Sequence, residues 1–275
     1  MIKIQNLGFS YGDNIVLKDI RMTLEEGRIY GLLGENGVGK TTLLTLLSGL
    51  KKPKAGSIEI DGKTPFKREP SLLTEIYYLS DEVAEANMTA LEYAVNYGKF
   101  WEGFDMQKFI DIMSVLENDL NQKMNHMSFG QLKKTHIAFA LACNTKYLFM
   151  DEPTNGLDIP SKSQFRKALM KYTREDSTLL ISTHQVRDLE SVIDPIIILD
   201  RQQVLLNASI QEIAEKLYFD YGNEIKDGAL YCEMIPGGCI QVLINTTGDE
   251  SKVNIEALFN TVHKHKVLIQ RLFTE

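Results

Sequence analysis

The chain has 275 residues, enough for one large domain or one domain with a small appendage. Its 44% hydrophobic and 24% charged content suits a globular protein with a full core. A formal net charge of −7 speaks against nucleic acid as the main partner, because phosphate backbones select basic faces. The three cysteines form no metal-ligand spacing, and their odd count suits a reducing cytoplasm better than a disulfide framework. The opening MIKIQNLGFSYG lacks the apolar stretch of a signal peptide. No run approaches the roughly 18 apolar residues that a membrane helix needs, so any membrane role is expected to be exercised from outside the bilayer.

Residues 2–7 alternate apolar and polar, which predicts a half-buried strand. A Gly-Asp-Asn turn at 12–14 leads to a second strand over 15–24. RIYGLLG (28–34) reads as a buried strand ending in glycine, and a helix follows at 41–50. Strands are expected at 57–63 and 76–80. From about 82 to 144 the pattern is helical, with Thr89, Asp105 and Ser128 as helix caps. Short apolar runs at 147–151, 178–182 and 196–200 predict parallel strands covered on both faces. Helical segments at 161–172 and 185–193 lie between them. The texture changes after Asn207, with a helix over 209–218, two strands around Pro236-Gly237-Gly238 and a final helix near 254–265. The reading is an α/β domain over 1–207, with an inserted helical lobe at about 82–144, and a small accessory domain over 208–275. The run His263-Lys264-His265-Lys266 is expected on a solvated helix face.

Gly34-Glu35-Asn36-Gly37-Val38-Gly39-Lys40-Thr41 fits the phosphate-loop pattern in its required place, after a strand and before a helix. Its glycines let backbone N–H groups form an anion nest, and the helix N-terminus adds positive potential. Lys40 is expected on the β- and γ-phosphates, Thr41 on Mg²⁺ and Thr42 near the α-phosphate, with Asn36, Gly37 and Gly39 in the nest. The strand 147–151 then delivers two carboxylates at its C-terminal end, where open α/β sheets bind ligands. Asp151 is expected to hold Mg²⁺ and Glu152 to polarise the attacking water. A curve at the strand's end is needed to bring both to one site.

With Met127-Ser128-Phe129-Gly130-Gln131 added, the first 205 residues or so resemble the ATP-binding-cassette (ABC) ATPases. The segment is similar to that family's Leu-Ser-Gly-Gly-Gln signature, with Phe129 in place of a glycine. The resemblance implies a phosphate-loop ATPase cassette with a mostly parallel core sheet, an antiparallel N-terminal β subdomain, an inserted helical lobe and a small α+β C-terminal appendage. It implies that Ser128, Gly130 and Gln131 meet the ATP of an opposite subunit, and that Asp158, closing Asn155-Gly156-Leu157-Asp158, reaches the same site. It further implies that Tyr11 stacks on adenine, that His184 senses the γ-phosphate, and that Asp81, standing where the family usually has a glutamine, contacts Mg²⁺. Glu152, His184 and Lys40 are the implied catalytic groups. The implied ligands are ATP and Mg²⁺. The implied partners are a second cassette, identical or not, and a separate membrane permease of exporter type, served from the cytoplasmic face. A nucleotide-dependent switch, or a cassette acting outside transport, is the alternative.

Overall fold

The computed structural model describes residues 1–274. Strands β1 (Ile2–Tyr11) and β2 (Asn14–Leu24) form a hairpin about Gly12-Asp13, with Gly12 at φ +56. Strand β3 (Ile29–Leu33) runs through the Gly-rich loop into helix α1 (Lys40–Leu47). Strand β4 (Ala55–Ile60) returns to pair antiparallel with β1, completing the small sheet in the order β2-β1-β4. Helix α2 (Pro70–Leu73) precedes β5 (Ile76–Leu79). The helical lobe follows as α3 (Ala90–Gly98), α4 (Met106–Val115) and α5 (Phe129–Ala142). Thr89, Asp105 and Ser128 cap these three helices as expected, each accepting a backbone N–H one turn on.

Strand β6 (Tyr147–Asp151), helix α6 (Ile159–Tyr172), β7 (Thr178–Thr183), β8 (Ile196–Asp200) and β9 (Gln203–Ala208) complete the central sheet. Its order is β5-β6-β7-β3-β8-β9, parallel except for the β8–β9 edge. Successive residues of its strands enter two different cores. Tyr147, Phe149, Leu180 and Ile197 face α1 and the small sheet. Leu148, Met150, Ile181 and Ile198 face the helical lobe and the C-terminal segment. That two-sided burial is why these strands read as unbroken apolar runs. Phe139 joins the lobe to β5, with Tyr77 and Trp101 both at 5.8 Å between ring centroids.

The C-terminal segment contains α7 (Ile210–Lys216), β10 (Leu217–Gly222), β11 (Tyr231–Ile235), β12 (Gly238–Ile244), α8 (Ile255–Lys264) and α9 (Lys266–Thr274). Its three strands form an antiparallel sheet in the order β10-β12-β11.

Four expectations need correction. The 185–193 segment is not an α-helix but a 3₁₀ turn at Val186–Asp188 followed by irregular turns. No side chain caps its start, and Arg166 Nη1 takes the Asp188 carbonyl at 2.9 Å. The 209–218 helix stops at Lys216, since the aromatic run Tyr218-Phe219-Asp220-Tyr221 prefers a pleated strand. The edge strand β9 and helix α9 were not anticipated. The run His263–Lys266 is not a solvated face. Lys266 and His263 both approach the Asp200 carboxylate, and His265 Nε2 lies 2.7 Å from Leu230 O, so the run docks the tail onto the sheet.

Candidate ATP site

The C-terminal ends of β3, β6 and β7 open into one cleft of about 480 Å³. Tyr11, Asn36, Gly37, Gly39, Lys40, Thr41, Thr42, Asp81, Asp151, Glu152 and His184 all line it. The phosphate loop is shaped by glycine. Gly37 has φ +82 and Gly39 φ +112, conformations that open the backbone N–H groups toward an anion. At Gly39 a Cβ would stand 2.9 Å from Val16 Cγ1 and 3.0 Å from Leu17 Cδ2. Gly39→Ala is therefore expected to cost about tenfold in ATP affinity, from left-handed strain and this crowding. Titration with a fluorescent ATP analogue measures it, and an unchanged affinity would remove the need for glycine here.

Lys40 is buried, with Nζ donating to Gly34 O at 2.7 Å and Glu35 O at 3.2 Å and pairing with Glu152 Oε1 at 3.4 Å. Asp151 ends β6 and is 2% exposed. Its Oδ1 accepts from the Ser182 hydroxyl, and its Oδ2 lies 3.4 Å from Tyr78 OH. Burial, together with the Asp151 charge, pushes the Tyr78 phenol well above its ordinary pKa.

Glu152 sits in the left-handed region at φ +45. Ser182 holds it there, with its O and Oγ each 3.1 Å from the Glu152 N–H. This is the curve that lets two neighbouring carboxylates enter one cleft, and such strained residues cluster at working sites. The Glu152 carboxylate meets His184 Nδ1 at 2.9 Å, while its Oε1 is buried without a hydrogen-bond partner among the described residues. The Thr41 hydroxyl and Asp151 carboxylate are hard oxygen donors on the same cleft wall, a set that fits Mg²⁺.

Tyr11 stands at the cleft mouth, 48% exposed, with Phe9 edge-on at 5.0 Å and its OH 3.4 Å from Thr42 Oγ1. Lys51 Nζ lies over one face of the ring, 5.0 Å from its centroid.

Asp81 lines the cleft, but its carboxylate is already engaged by Lys133 Nζ at 3.2 Å and Asn155 Nδ2 at 3.2 and 3.3 Å. Burial lowers the Lys133 pKa, and Asp81 opposes that shift.

Ser128, Gly130, Gln131 and Asp158 are absent from the cleft lining. Ser128 and Gln131 form the capping box of α5, and Asp158 caps α6 by accepting from Ser161 N at 2.9 Å. The Ser161 bonds hold the Asp158 carboxyl below its ordinary pKa. The Phe129 ring lies against Gly156, where a Cβ would stand 2.4 Å from it.

Sequence reasoning missed the supports of the site. Asn155 stood inside a quoted motif and Ser182 at the end of an expected strand, both without a role, while Tyr78 and Lys133 carried no local signal. A second cavity, of about 520 Å³, lies between His184, Glu35 and the α8 residues Glu256 and Asn260.

The ABC transporter family profile matches residues 17–155. The chain belongs to the ABC transporter ATP-binding family. It is 29% identical over 206 residues to the ABC transporter ATP-binding protein NatA of Bacillus subtilis, covering 72% of this chain and 84% of that one. It is 30% identical over 200 residues to the lantibiotic transport ATP-binding protein SrtF of Streptococcus pyogenes, covering 70% and 84%. It is 31% identical over 210 residues to the bacitracin transport ATP-binding protein BcrA of Bacillus licheniformis, covering 74% and 68%. Among solved structures, a dimeric cassette in a post-hydrolysis state bound to ADP and Pi superposes with a TM-score of 0.66 at 25% identity, covering 76% of this chain and 98% of that one. The chain is thus the ATP-binding and ATP-hydrolysing subunit of an ABC transporter, and ATP fits the cleft by chemistry and by family. No described helix is long and apolar enough to cross a membrane.

Proposed function

We propose that two cassettes close head to tail around two ATP molecules, and that this motion drives a separate membrane permease for export. The observation that carries the reading is the split between two sets of residues. Lys40, Thr41, Asp151, Glu152 and His184 share one cleft, while Ser128, Gly130 and Asp158 lie outside it. One chain alone therefore presents half of a site twice over. The outer surface also exposes Phe129 at 49% and Ile159 at 84%, apolar area that a second cassette would cover.

In this reading the phosphate-loop N–H groups and Lys40 bind the triphosphate, and Tyr11 stacks on adenine. Thr41 and Asp151 hold Mg²⁺, which neutralises charge on the β- and γ-phosphates. Glu152 accepts the proton of the attacking water, and His184 orients Glu152 and faces the γ-phosphate. Ser128 and Gly130 of the second copy offer a helix N-terminus to that same phosphate. Gln131 of that copy caps the helix, and its Asp158 fixes the adjoining loop. Closure positions the reactants and excludes water.

The permease is read onto the groove between α1 and the helical lobe, where Leu50 and Phe100 are 53% and 60% exposed beside Trp101. The names of SrtF and BcrA, with their lantibiotic and bacitracin transport, support a transport role, to which this reading adds export and a cassette at the cytoplasmic face. Residues 1–207 are assigned to the motor and 208–275 to an accessory unit.

Mixing two inactive variants tests the shared site. Lys40→Ala and Ser128→Arg should each abolish turnover alone. Combined, they should recover turnover, because mixed dimers keep one intact composite site. A mixture as inactive as its components would show that each chain works with its own residues only.

A further inference from the structure

Asp81, Lys133, Phe129 and the Asn155-Gly156 pair close a ring of contacts where three elements meet. Lys133, on α5, is fully buried, and its Nζ donates to Asp81 O at 2.8 Å and to Asp81 Oδ1 at 3.2 Å. The Asp81 carboxylate, in the loop after β5, accepts in turn from Asn155 Nδ2. Gly156 follows at φ +76, and its bare Cα lets the Phe129 ring lie against the backbone. Phe129 and Lys133 are four residues apart on α5 and so share a helix face. The ring runs from Asp81 to Lys133, along α5 to Phe129, across to Gly156 and Asn155, and back to Asp81.

Two features make this more than local packing. A buried ammonium needs an anion, and among the described residues Asp81 is the carboxylate paired with Lys133, with Asp151 and Glu152 acting on it from further away. Phe129 and Asp81, the two departures from the family pattern, belong to the same ring. Phe129 meets Gly156 while Asp81 meets Lys133 and Asn155, so the two departures act on the same helix and the same loop.

We propose that this ring braces the N-terminus of α5 against the Asn155–Asp158 loop before a second cassette arrives, with Lys133 as its positioning residue. The group it serves is the γ-phosphate of ATP held by that second copy, so the inference rests on the head-to-tail reading above. Lys133 lies about 7.5 Å along a rigid helix from Ser128, and fixing one fixes the other. Asp81 thereby connects the cleft to the surface that closes on the neighbouring cleft.

The test uses the full chain carrying Glu152→Gln, followed by fluorescent ATP analogue titration, light scattering and thermal melting. Lys133→Met should keep nucleotide affinity within about twofold while weakening ATP-driven dimerisation at least tenfold. The pair Asp81→Gln with Lys133→Gln, a neutral amide couple, should regain most of the dimer. Unchanged dimerisation in Lys133→Met overturns the brace. So does an equal loss of nucleotide affinity, which would place Lys133 on the nucleotide itself. Should Lys133→Met fail to fold, the double variant decides: folded and dimerising supports the brace, folded and monomeric overturns it. A Glu152→Gln parent that binds ATP without dimerising would sink the head-to-tail reading instead, before any Lys133 variant is compared.

Discussion

Glu152→Gln should lower ATP turnover by about 10²- to 10⁴-fold, the range lost with a positioned general base. Binding of ATP should survive. The amide keeps the shape of the side chain and leaves the left-handed backbone, pinned by Ser182, undisturbed. It removes the negative charge and the capacity to take a proton. Lys40 loses a partner at 3.4 Å but keeps the carbonyls of Gly34 and Glu35. The cleft becomes less repulsive to a γ-phosphate, so affinity should hold or rise slightly. The His184 Nδ1 contact, 2.9 Å in the native chain, can persist as a neutral hydrogen bond. Phosphate release and equilibrium nucleotide binding, measured on the same preparation, separate the two effects. Turnover within threefold of native would remove Glu152 from the chemistry and leave His184 as the base to examine.

The phosphate loop was legible because everything that defines it is local: a strand before, a helix after, and glycines where the chain must turn. The acidic pair was legible as chemistry but not as geometry. Alternation along a strand sends Asp151 and Glu152 to opposite faces. What reverses Glu152 is a hydrogen bond to Ser182, thirty residues further on. Lys133 and Lys134 are the same letter side by side, yet one is fully buried on Asp81 and the other reaches Gln164 Oε1 at 3.3 Å. Helix α5 is buried around most of its circumference, so its periodicity could not tell them apart. The same limit explains Phe129. Its bulk was visible in the sequence, but the glycine that receives it lies in another motif. The helix-to-strand change at Leu217, in the tail, follows aromatic propensity, and the turn at 185–193, in the cassette, is held by Arg166, a distant side chain. Local signals fixed the elements; non-local pairs fixed the orientation of the groups that do the chemistry.

Lys40→Ala should fail one step earlier than Glu152→Gln. Lys40 supplies the buried cation of the phosphate loop, and charge-assisted contacts of this kind are worth roughly 1.5–3 kcal/mol. ATP affinity should therefore fall about tenfold to hundredfold, and turnover should fall with it. The empty cleft is also affected. Glu152 Oε1, already without a hydrogen-bond partner, would lose its neighbouring positive charge, so the nucleotide-free chain should melt at a lower temperature than the native one. Lys40→Arg should not restore binding. The slot between Gly34 O at 2.7 Å and Glu35 O at 3.2 Å accommodates a compact ammonium at 6% exposure, and a planar guanidinium needs more room. Nucleotide titration with parallel melting curves checks all three statements. The partition between the two variants is the discriminating result. Bound but unhydrolysed ATP in Glu152→Gln, with weakly bound ATP in Lys40→Ala, assigns chemistry to one residue and anion binding to the other. Normal affinity in Lys40→Ala would mean that the backbone nest alone holds the triphosphate, and that Lys40 acts only on the charge that develops during transfer.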